Sequence, residues 1–199
     1  MRLFAHIAPL SMVLLMGCVG GGDVGASGSA LGDLPTMRWD HRPEAPEWTA
    51  ATLSAVARHD AVLAQDVPSD IGAWCPGYAK ASVEERRAFW AALLSALAKH
   101  ESTWNPKASG GGGRWIGLTQ IAPGTARGHG CDATTVSALK DGAENLQCAV
   151  EIAAVKVAQD GVVAGTGNRG LGRDWAPFRA DSKMADMVAW TRAQSYCQG

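Results

Sequence analysis

The chain has 199 residues, 47% of them hydrophobic, and a formal net charge of -1. Once a leader and a linker are removed, this length leaves one domain of ordinary size, large enough to bury its own core. The near-neutral charge argues against a nucleic-acid partner, because nucleic acid normally selects a basic protein surface.

The first residues are typical of an export signal. Arg2 gives a short positive region, and residues 3–17 are apolar but too short to span a bilayer comfortably. Residues 15–18 read Leu-Met-Gly-Cys and resemble the lipobox of bacterial lipoproteins, in which a lipid is attached to the cysteine before cleavage. We therefore expect a signal peptide over residues 1–17 and a lipid anchor on Cys18. An ordinary secretory signal cut elsewhere is the alternative.

The segment after Cys18 lacks the residues that build a core. Residues 19–34 are mostly Gly, Ser, Ala and Asp, so we expect a flexible tether over residues 18–42 and one folded domain over residues 43–199. Valine rather than aspartate follows Cys18, which by analogy with lipoprotein sorting rules favours the outer membrane. The sequence thus predicts a periplasmic protein held to a membrane by its lipid.

Four further cysteines, an even number in an exported chain, indicate disulfides. Three pairings are possible. We favour Cys131 with Cys148, which closes a local loop, and this leaves Cys75 with Cys197 to join the start of the domain to its end. A zinc site is the rival interpretation, but the chain has no Cys-x-x-Cys pair, and we expect neither a metal nor a cofactor.

Helical patterns account for most of the domain, and no segment shows the sustained alternation of a half-buried strand. The sequence therefore predicts a mainly α, single-domain fold with little or no sheet. The predicted helices cover about residues 47–65, 82–104, 134–139, 141–159 and 182–196, with glycine-rich loops at 110–113 and 161–172.

The central helix carries the candidate catalytic residue. It begins with a capping-box pattern at residues 82–85, and apolar positions recur every four residues up to Leu97. One further step is Glu101, so the carboxylate falls on the buried stripe, where lost hydration raises its pKa, as a general acid requires. On periodicity alone, a helix-end glutamate paired with Lys107 or Arg114 is the alternative.

The residues around Glu101 resemble the soluble lytic transglycosylases and goose-type lysozymes. In that family a Glu-Ser pair ends a helix, and a Gly-Leu-Met-Gln segment then lines the cleft. The matching elements are Glu101-Ser102, Asn105-Pro106, Gly117-Leu118-Thr119-Gln120-Ile121 with Pro123 and Thr125, and Asn145 at the start of the next long helix. Thr119 replaces the usual methionine. The resemblance covers about residues 82–158 and implies a lysozyme-like domain.

The resemblance implies that the substrate is peptidoglycan, cut between N-acetylmuramic acid and N-acetylglucosamine. Glu101 would protonate the glycosidic oxygen, and the muramic 6-hydroxyl would close a 1,6-anhydro ring. Ser102 would hydrogen-bond Glu101 or the sugar, and Gln120 with the backbone of Gly117 and Leu118 would hold N-acetyl groups. The other candidate substrate-binding residues are Asn145, Trp115 and Trp175.

One family element is missing from the chain. The family usually carries an Ala-Tyr-Asn segment whose tyrosine points at the acid, and here Arg173-Asp174-Trp175 stands in the corresponding loop. Other functions stay open. A lysozyme-type hydrolase would pair Glu101 with Asp132, Asp141 or Asp174. A wall-binding lipoprotein would not depend on Glu101, and a secretion-system component that opens the wall would share the chemistry and differ in its partners.

Overall fold

The computed structural model of the protein describes residues 34–198, which belong to one compact unit. The expected signal peptide and the lipidation site at Cys18 lie outside the described residues. Among residues 34–198, no helix is both long and apolar enough to cross a bilayer.

The described part is mainly helical with very little sheet, so the predicted fold class is confirmed. The helices are α1 Ala45–Arg58, α2 Asp60–Leu63, α3 Ile71–Trp74, α4 Val83–Ser102, α5 Pro123–Gly128, α6 Val136–Leu139, α7 Gly142–Asp160 and α8 Asp181–Arg192; the antiparallel strands are β1 Ser109–Gly110 and β2 Trp115–Ile116. Short 3-10 turns cover Tyr78–Lys80, Gly170–Arg173, Ala176–Arg179 and Ser195–Cys197.

Helix α4 forms the centre of the core. Its capping box is complete, because the Ser82 hydroxyl accepts from the Glu85 N–H and the Glu85 carboxylate accepts from the Ser82 N–H. Every residue from 88 to 98 is buried, whereas the sequence predicted one broad apolar face. Alanines on the remaining faces are small enough for α1 and α8 to pack closely, so the helix is enclosed rather than half covered.

The end of α4 differs from the prediction. Asn105-Pro106 was expected to end the helix, but the last helical residue is Ser102, because Thr103 and Trp104 adopt left-handed backbone angles with φ of 52° and 56°. Their N–H groups donate to the carbonyls of Lys99 and Ala98. The chain therefore turns away directly after the residue pair that carries the candidate acid.

The predicted tether, residues 18–42, extends too far. Met37 and Trp39 are buried, and the Trp39 indole N–H donates to Thr49 Oγ1 at 2.9 Å. Arg38 makes a bidentate ion pair with Asp186 of α8, at 2.6 and 2.9 Å. The Gly- and Ser-rich composition ends near residue 34, and the large side chains that follow can be buried, so the folded domain starts before residue 43.

Two other boundaries also differ. The predicted helix over residues 47–65 is divided into α1 and α2 at His59, and the last long helix ends at Arg192 rather than near residue 196. These shifts affect the periphery of the domain and leave the central helix unchanged.

Two disulfides join distant parts of the domain, in the pairing that the sequence favoured. Cys75 and Cys197 are 122 positions apart in the sequence, and Cys131 and Cys148 are 17 positions apart. By loop-closure entropy they stabilise the fold by about 5 and about 3 kcal/mol, respectively. The longer one fastens the C-terminal turn to the segment before α4, and the shorter one fastens the segment after α5 to α7.

Replacement of Trp39 tests the corrected domain boundary. Trp39→Ala removes a buried indole and its hydrogen bond, so it should lower the free energy of unfolding by about 3 to 5 kcal/mol in urea titrations. Val155→Ala is the control, since Val155 is 47% exposed and its truncation should change stability by less than about 0.5 kcal/mol. Equal, small effects of both changes would instead indicate that residues 34–42 belong to the tether.

Candidate active site

Glu101 lies in the last turn of α4 and opens into a cleft. Among residues 34–198, its carboxylate accepts no hydrogen bond and forms no ion pair, so the alternative pairing with Lys107 or Arg114 is wrong. Lys107 Nζ donates instead to the Lys140 carbonyl at 3.0 Å, and the Arg114 guanidinium lies 5.6 Å from the centre of the Trp115 ring. The cleft is lined by Glu101, Trp115, Gln120, Asp174, Trp175, Ala176 and Arg179.

The environment of Glu101 changes its acidity. Burial penalises the charged form and raises the pKa of the Glu101 carboxyl from its ordinary value of 4.5 to about 7, although the nearby charges of Lys183 and Arg179 act in the opposite direction. A carboxyl with this pKa holds its proton in a large fraction of molecules at neutral pH. It can therefore donate a proton in one step and accept one in the next.

Asn145 organises the segment that faces Glu101. Its amide donates to the carbonyls of Ile116 and Leu139, each at 3.0 Å, and its carbonyl oxygen accepts from the N–H and the hydroxyl of Thr119, at 2.9 and 2.7 Å. The side chain is fully buried and all four hydrogen-bonding positions are filled. The predicted substrate-binding role of Asn145 is therefore wrong, since it shapes the cleft without reaching it.

Gly117 also has a structural role that differs from the predicted one. Its φ is 81°, and a Cβ at this position would lie 2.2 Å from the Leu139 carbonyl and 2.4 Å from Asn145 Nδ2, so only glycine fits. The Gly117 N–H donates to the Ala108 carbonyl, and its carbonyl accepts from the Gln120 N–H and from Gln120 Nε2. This peptide is bonded within the fold and is not free to hold an N-acetyl group.

Ser102 joins the end of α4 to the same segment. Its hydroxyl lies 2.8 Å from the Leu118 carbonyl and 3.2 Å from the Ala98 carbonyl, and it makes no hydrogen bond to Glu101. The Leu118 side chain is fully buried. The Ser102 hydroxyl therefore contacts the Leu118 carbonyl instead of Glu101, and this link fixes the distance between the acid and the opposite wall.

Asp174 and Trp175 belong to the loop in which the sequence lacks the family's tyrosine segment. Both line the cleft with Glu101. The Trp175 indole N–H donates to the Thr119 carbonyl at 2.8 Å, and an Asp174 carboxylate oxygen lies 3.4 Å from Lys156 Nζ. Trp175 is only 3% exposed, so it serves as a wall and offers little surface for stacking.

Two carboxylates that the sequence did not single out fix the glycine-rich loop 161–172, which leads to this wall. Asp70 accepts from the N–H groups of Val163 and Ala164 at 2.6 and 3.0 Å. Asp160 binds Arg173 through two hydrogen bonds, which lower the pKa of the Asp160 carboxyl below its usual range. Aspartates near a glycine-rich loop were the available signal, but their partners could not be read from sequence.

Trp115 and Gln120 are the groups best placed for substrate. Trp115 is 44% exposed on β2, and a Cβ at Gly111 would lie 2.2 Å from its ring, so glycine at that position makes room for the indole. Gln120 uses Nε2 within the fold, which leaves its side-chain oxygen as an acceptor. The cleft continues past both residues into a cavity lined also by Ile121, Ala122, Thr125 and Ile152.

Of the three aspartates considered as partners of Glu101, only Asp174 shares its cleft. Asp132 lies in a separate cavity beside the Cys131–Cys148 disulfide, and Asp141 caps α7 by accepting from the Glu144 N–H at 3.0 Å. Within residues 34–198, no group of three His, Cys, Asp or Glu side chains is arranged to bind a metal.

The family model of the transglycosylase SLT domain matches residues 79–186, more than half of the chain and the whole segment from α4 into α8. The chain belongs to the transglycosylase SLT family. The family match confirms the resemblance inferred from the Glu101-Ser102 and Gly117–Gln120 motifs. No curated protein matches the chain.

Solved structures of Bd0314 DslA share the lysozyme-like fold. A variant of DslA in which a glutamate is replaced by glutamine has a TM-score of 0.75, and the wild-type protein has a TM-score of 0.74. Each is 26% identical to this chain, and each match covers 83% of this chain and 99% of that one. A second glutamate-to-glutamine variant also matches with a TM-score of 0.74.

Asn145→Ala tests whether Asn145 is structural. The change leaves the Thr119 N–H and the Leu139 carbonyl without partners and removes one of the two N–H donors to the Ile116 carbonyl. We therefore expect a loss of about 3 kcal/mol in the free energy of unfolding. Gln147→Ala, on the same helix, is the control, because its amide makes a single 3.5 Å contact with Arg58. Unchanged stability together with a raised KM would instead show that Asn145 binds substrate.

Glu101→Gln tests the burial of the acid through stability. Between pH 4.5 and about 7 the folded protein retains a proton on Glu101 that the unfolded chain releases, so the wild type loses stability as pH rises through this window. The variant has no carboxyl to ionise. Its stability relative to the wild type should therefore increase across that range and level off above it, as measured by urea unfolding from pH 4 to pH 8. A flat difference would contradict the raised pKa.

Proposed function

We propose that the protein is a peptidoglycan lytic transglycosylase that cleaves the β-1,4 bond between N-acetylmuramic acid and N-acetylglucosamine and leaves 1,6-anhydro ends. Membership of the SLT family supports the reaction class. The observation that carries the proposal is Glu101, a carboxyl that has no partner among residues 34–198 and has a pKa raised to about 7 in a cleft.

In the first step, protonated Glu101 gives its proton to the glycosidic oxygen as the bond from this oxygen to the muramic C1 breaks. Positive charge spreads over C1 and the ring oxygen, and the N-acetylglucosamine leaves as an alcohol. In the second step, the Glu101 carboxylate removes the proton of the muramic 6-hydroxyl while O6 bonds to C1. The acid is regenerated and no water is consumed, because the attacking group is already attached to the sugar.

Only one carboxyl in the cleft is suited to this chemistry. Asp174 is engaged with Lys156, and the charges that act on Glu101 are those of Lys183 and Arg179. This arrangement favours a single acid that serves both steps. Hydrolysis by a water that Asp174 activates is the alternative that its place in the cleft leaves open.

Two groups are proposed to contact the glycan, and a third forms a wall of the cleft. Trp115 offers an exposed indole face for a sugar ring, Gln120 offers its side-chain oxygen to an N-acetyl N–H, and Trp175 bounds the cleft. The remaining motif residues act indirectly by holding the walls at a fixed separation.

We also propose that the protein works in the periplasm, after removal of residues 1–17, with a lipid on Cys18 that holds it to the outer membrane. The two disulfides support an oxidising compartment. The partners would be glycan strands and, through the anchor, the membrane, together with any wall or secretion machinery that needs local opening of the wall. No nucleic-acid partner is proposed.

Purified wild type and Glu101→Gln, assayed on isolated peptidoglycan, test the activity. The rate of cleavage should fall by about 10² to 10⁴-fold in the variant, because the proton donor is lost while a polar group of similar size remains. Asp132→Asn, outside the cleft, should cleave like the wild type. Mass spectrometry of the wild-type products should show ends lighter by one water than reducing ends.

The same products separate the competing functions. Reducing ends formed by the wild type, and lost in Asp174→Asn, would identify a hydrolase. Glycan binding without any new ends would identify a wall-binding protein. Full activity of Glu101→Gln would exclude Glu101 as the acid.

A further inference from the structure

The cleft contains a second carboxylate besides Glu101. Asp174 lines the part of the cleft that holds Glu101 and also the cavity that continues past Trp115 and Gln120. Glycoside hydrolases use two carboxyl groups, one as the acid and one as the base or nucleophile, so this cleft contains the groups that hydrolysis requires. The state of Asp174 therefore bears on whether water or the muramic 6-hydroxyl attacks the sugar.

The backbone around Asp174 is fixed by hydrogen bonds. The N–H groups of Asp174 and Trp175 both donate to the Leu171 carbonyl, at 3.3 and 3.1 Å, and the Trp175 indole N–H donates to the Thr119 carbonyl. The direction of the Asp174 carboxylate is then set by its side-chain torsions alone. The side chain that contacts this carboxylate is Lys156.

Lys156 reaches Asp174 from helix α7. It lies one turn after Ile152, which lines the same cavity as Asp174, so Ile152 and Lys156 share one face of the helix. Lys156 Nζ lies 3.4 Å from an Asp174 carboxylate oxygen and makes no other ion pair or hydrogen bond among residues 34–198. The lysine and aspartate side chains are only 16% and 23% exposed, so water and salt screen this pair less than a pair on the surface.

Two other basic groups lie near the pair, and neither replaces Lys156. The Arg173 guanidinium makes two hydrogen bonds to Asp160. Burial lowers the pKa of the His129 imidazole, and the charge of Lys156 acts in the same direction while that of Asp174 opposes it, so His129 is mainly neutral at pH 7. Lys156 is therefore the permanent positive charge that contacts Asp174.

We propose that Lys156 determines the product of the reaction, because it holds the Asp174 carboxylate in an ion pair and so keeps it from activating water. The inference rests on the proposed function, since it concerns the same cleavage at Glu101. With Asp174 held by Lys156, water lacks a ready proton acceptor, and the 6-hydroxyl, which is already attached to the sugar, reaches C1 first. Lys156 is a positioning residue in this scheme, because it acts through Asp174.

Loss of Lys156 opens a hydrolytic route. Glu101 would still give its proton to the glycosidic oxygen as the bond from this oxygen to C1 breaks. The released Asp174 carboxylate would accept a proton from water while the water oxygen bonds to C1, and both carboxyl groups would then return to their starting states by proton exchange with solvent. One glycosidic bond and one water are consumed, and a reducing end forms in place of an anhydro end.

The ratio of reducing to anhydro ends, measured by mass spectrometry after digestion of isolated peptidoglycan, tests the proposal with the full chain. Lys156→Met removes the charge and keeps a long side chain. It should raise this ratio by at least about tenfold, which is below the roughly 10²- to 10⁴-fold that a well-placed general base contributes. Addition of Asp174→Asn to Lys156→Met should restore the wild-type ratio, and Lys156→Arg, which keeps the cation, should leave the ratio low.

Arg58→Gln is the matched control. It also removes a cation that pairs with a carboxylate of α7, since Arg58 Nη2 lies 3.6 Å from Glu151 Oε1, but this pair lines a separate cavity. The control should keep the wild-type ratio. A general loss of stability does not change the ratio, because unfolding lowers the yield of both products equally. Should Lys156→Met not fold, Lys156→Gln, which keeps a polar group beside Asp174, provides the same measurement.

The outcomes separate the two proposals. Anhydro ends alone from Lys156→Met, or reducing ends that persist after Asp174→Asn is added, would overturn the role of Lys156 and leave the lytic activity standing. Mainly reducing ends from the wild type would overturn the proposed function itself, and the role of Lys156 with it.

Discussion

Glu101 stands where a fully enclosed helix reaches the solvent, and the loss of hydration at that point governs the rest of the site. The alanine-rich middle of α4 allows neighbouring helices to surround it, and the left-handed turn at Thr103 and Trp104 removes the chain directly after the acid. The carboxyl is left with neither a hydrogen bond nor an ion pair from the described residues. Such a group is tolerated because it can remain protonated, and the surrounding polar groups are satisfied without it.

Most polar residues of the family motif build the walls of the cleft, and fewer than expected keep side-chain atoms free to face it. Ser102 binds the Leu118 carbonyl, Asn145 fills all its hydrogen bonds around Thr119, and Trp175 closes the network from the other wall. A motif of this kind specifies the spacing between the acid and the opposite wall. The side chains that remain open to the cleft are Gln120, within the motif, and Trp115 and Arg179, outside it.

The parts that could be predicted from sequence depend on local spacing. The capping box, the four-residue repeat and the place of Glu101 on it require only neighbours along one helix. The boundary at Trp39 and the role of Asn145 could not be predicted, because their partners come from distant segments. Asn145 meets Thr119 across 26 residues, Trp175 meets it across 56, and Arg38 meets Asp186 across 148. Composition describes what a segment can bury, but not which surface receives it.

A pKa near 7 for Glu101 is a balance between two opposing effects, and the proposed chemistry needs both. Burial alone would hold the proton so firmly that the group could donate it only with difficulty. The charges of Lys183 and Arg179 alone would leave a permanent carboxylate, which can only act as a base. A single residue that must give a proton in one step and take one in the next works best when its pKa lies close to the ambient pH. The cations beside the cleft therefore take part in the proposed acid–base chemistry, because they keep this pKa from rising further.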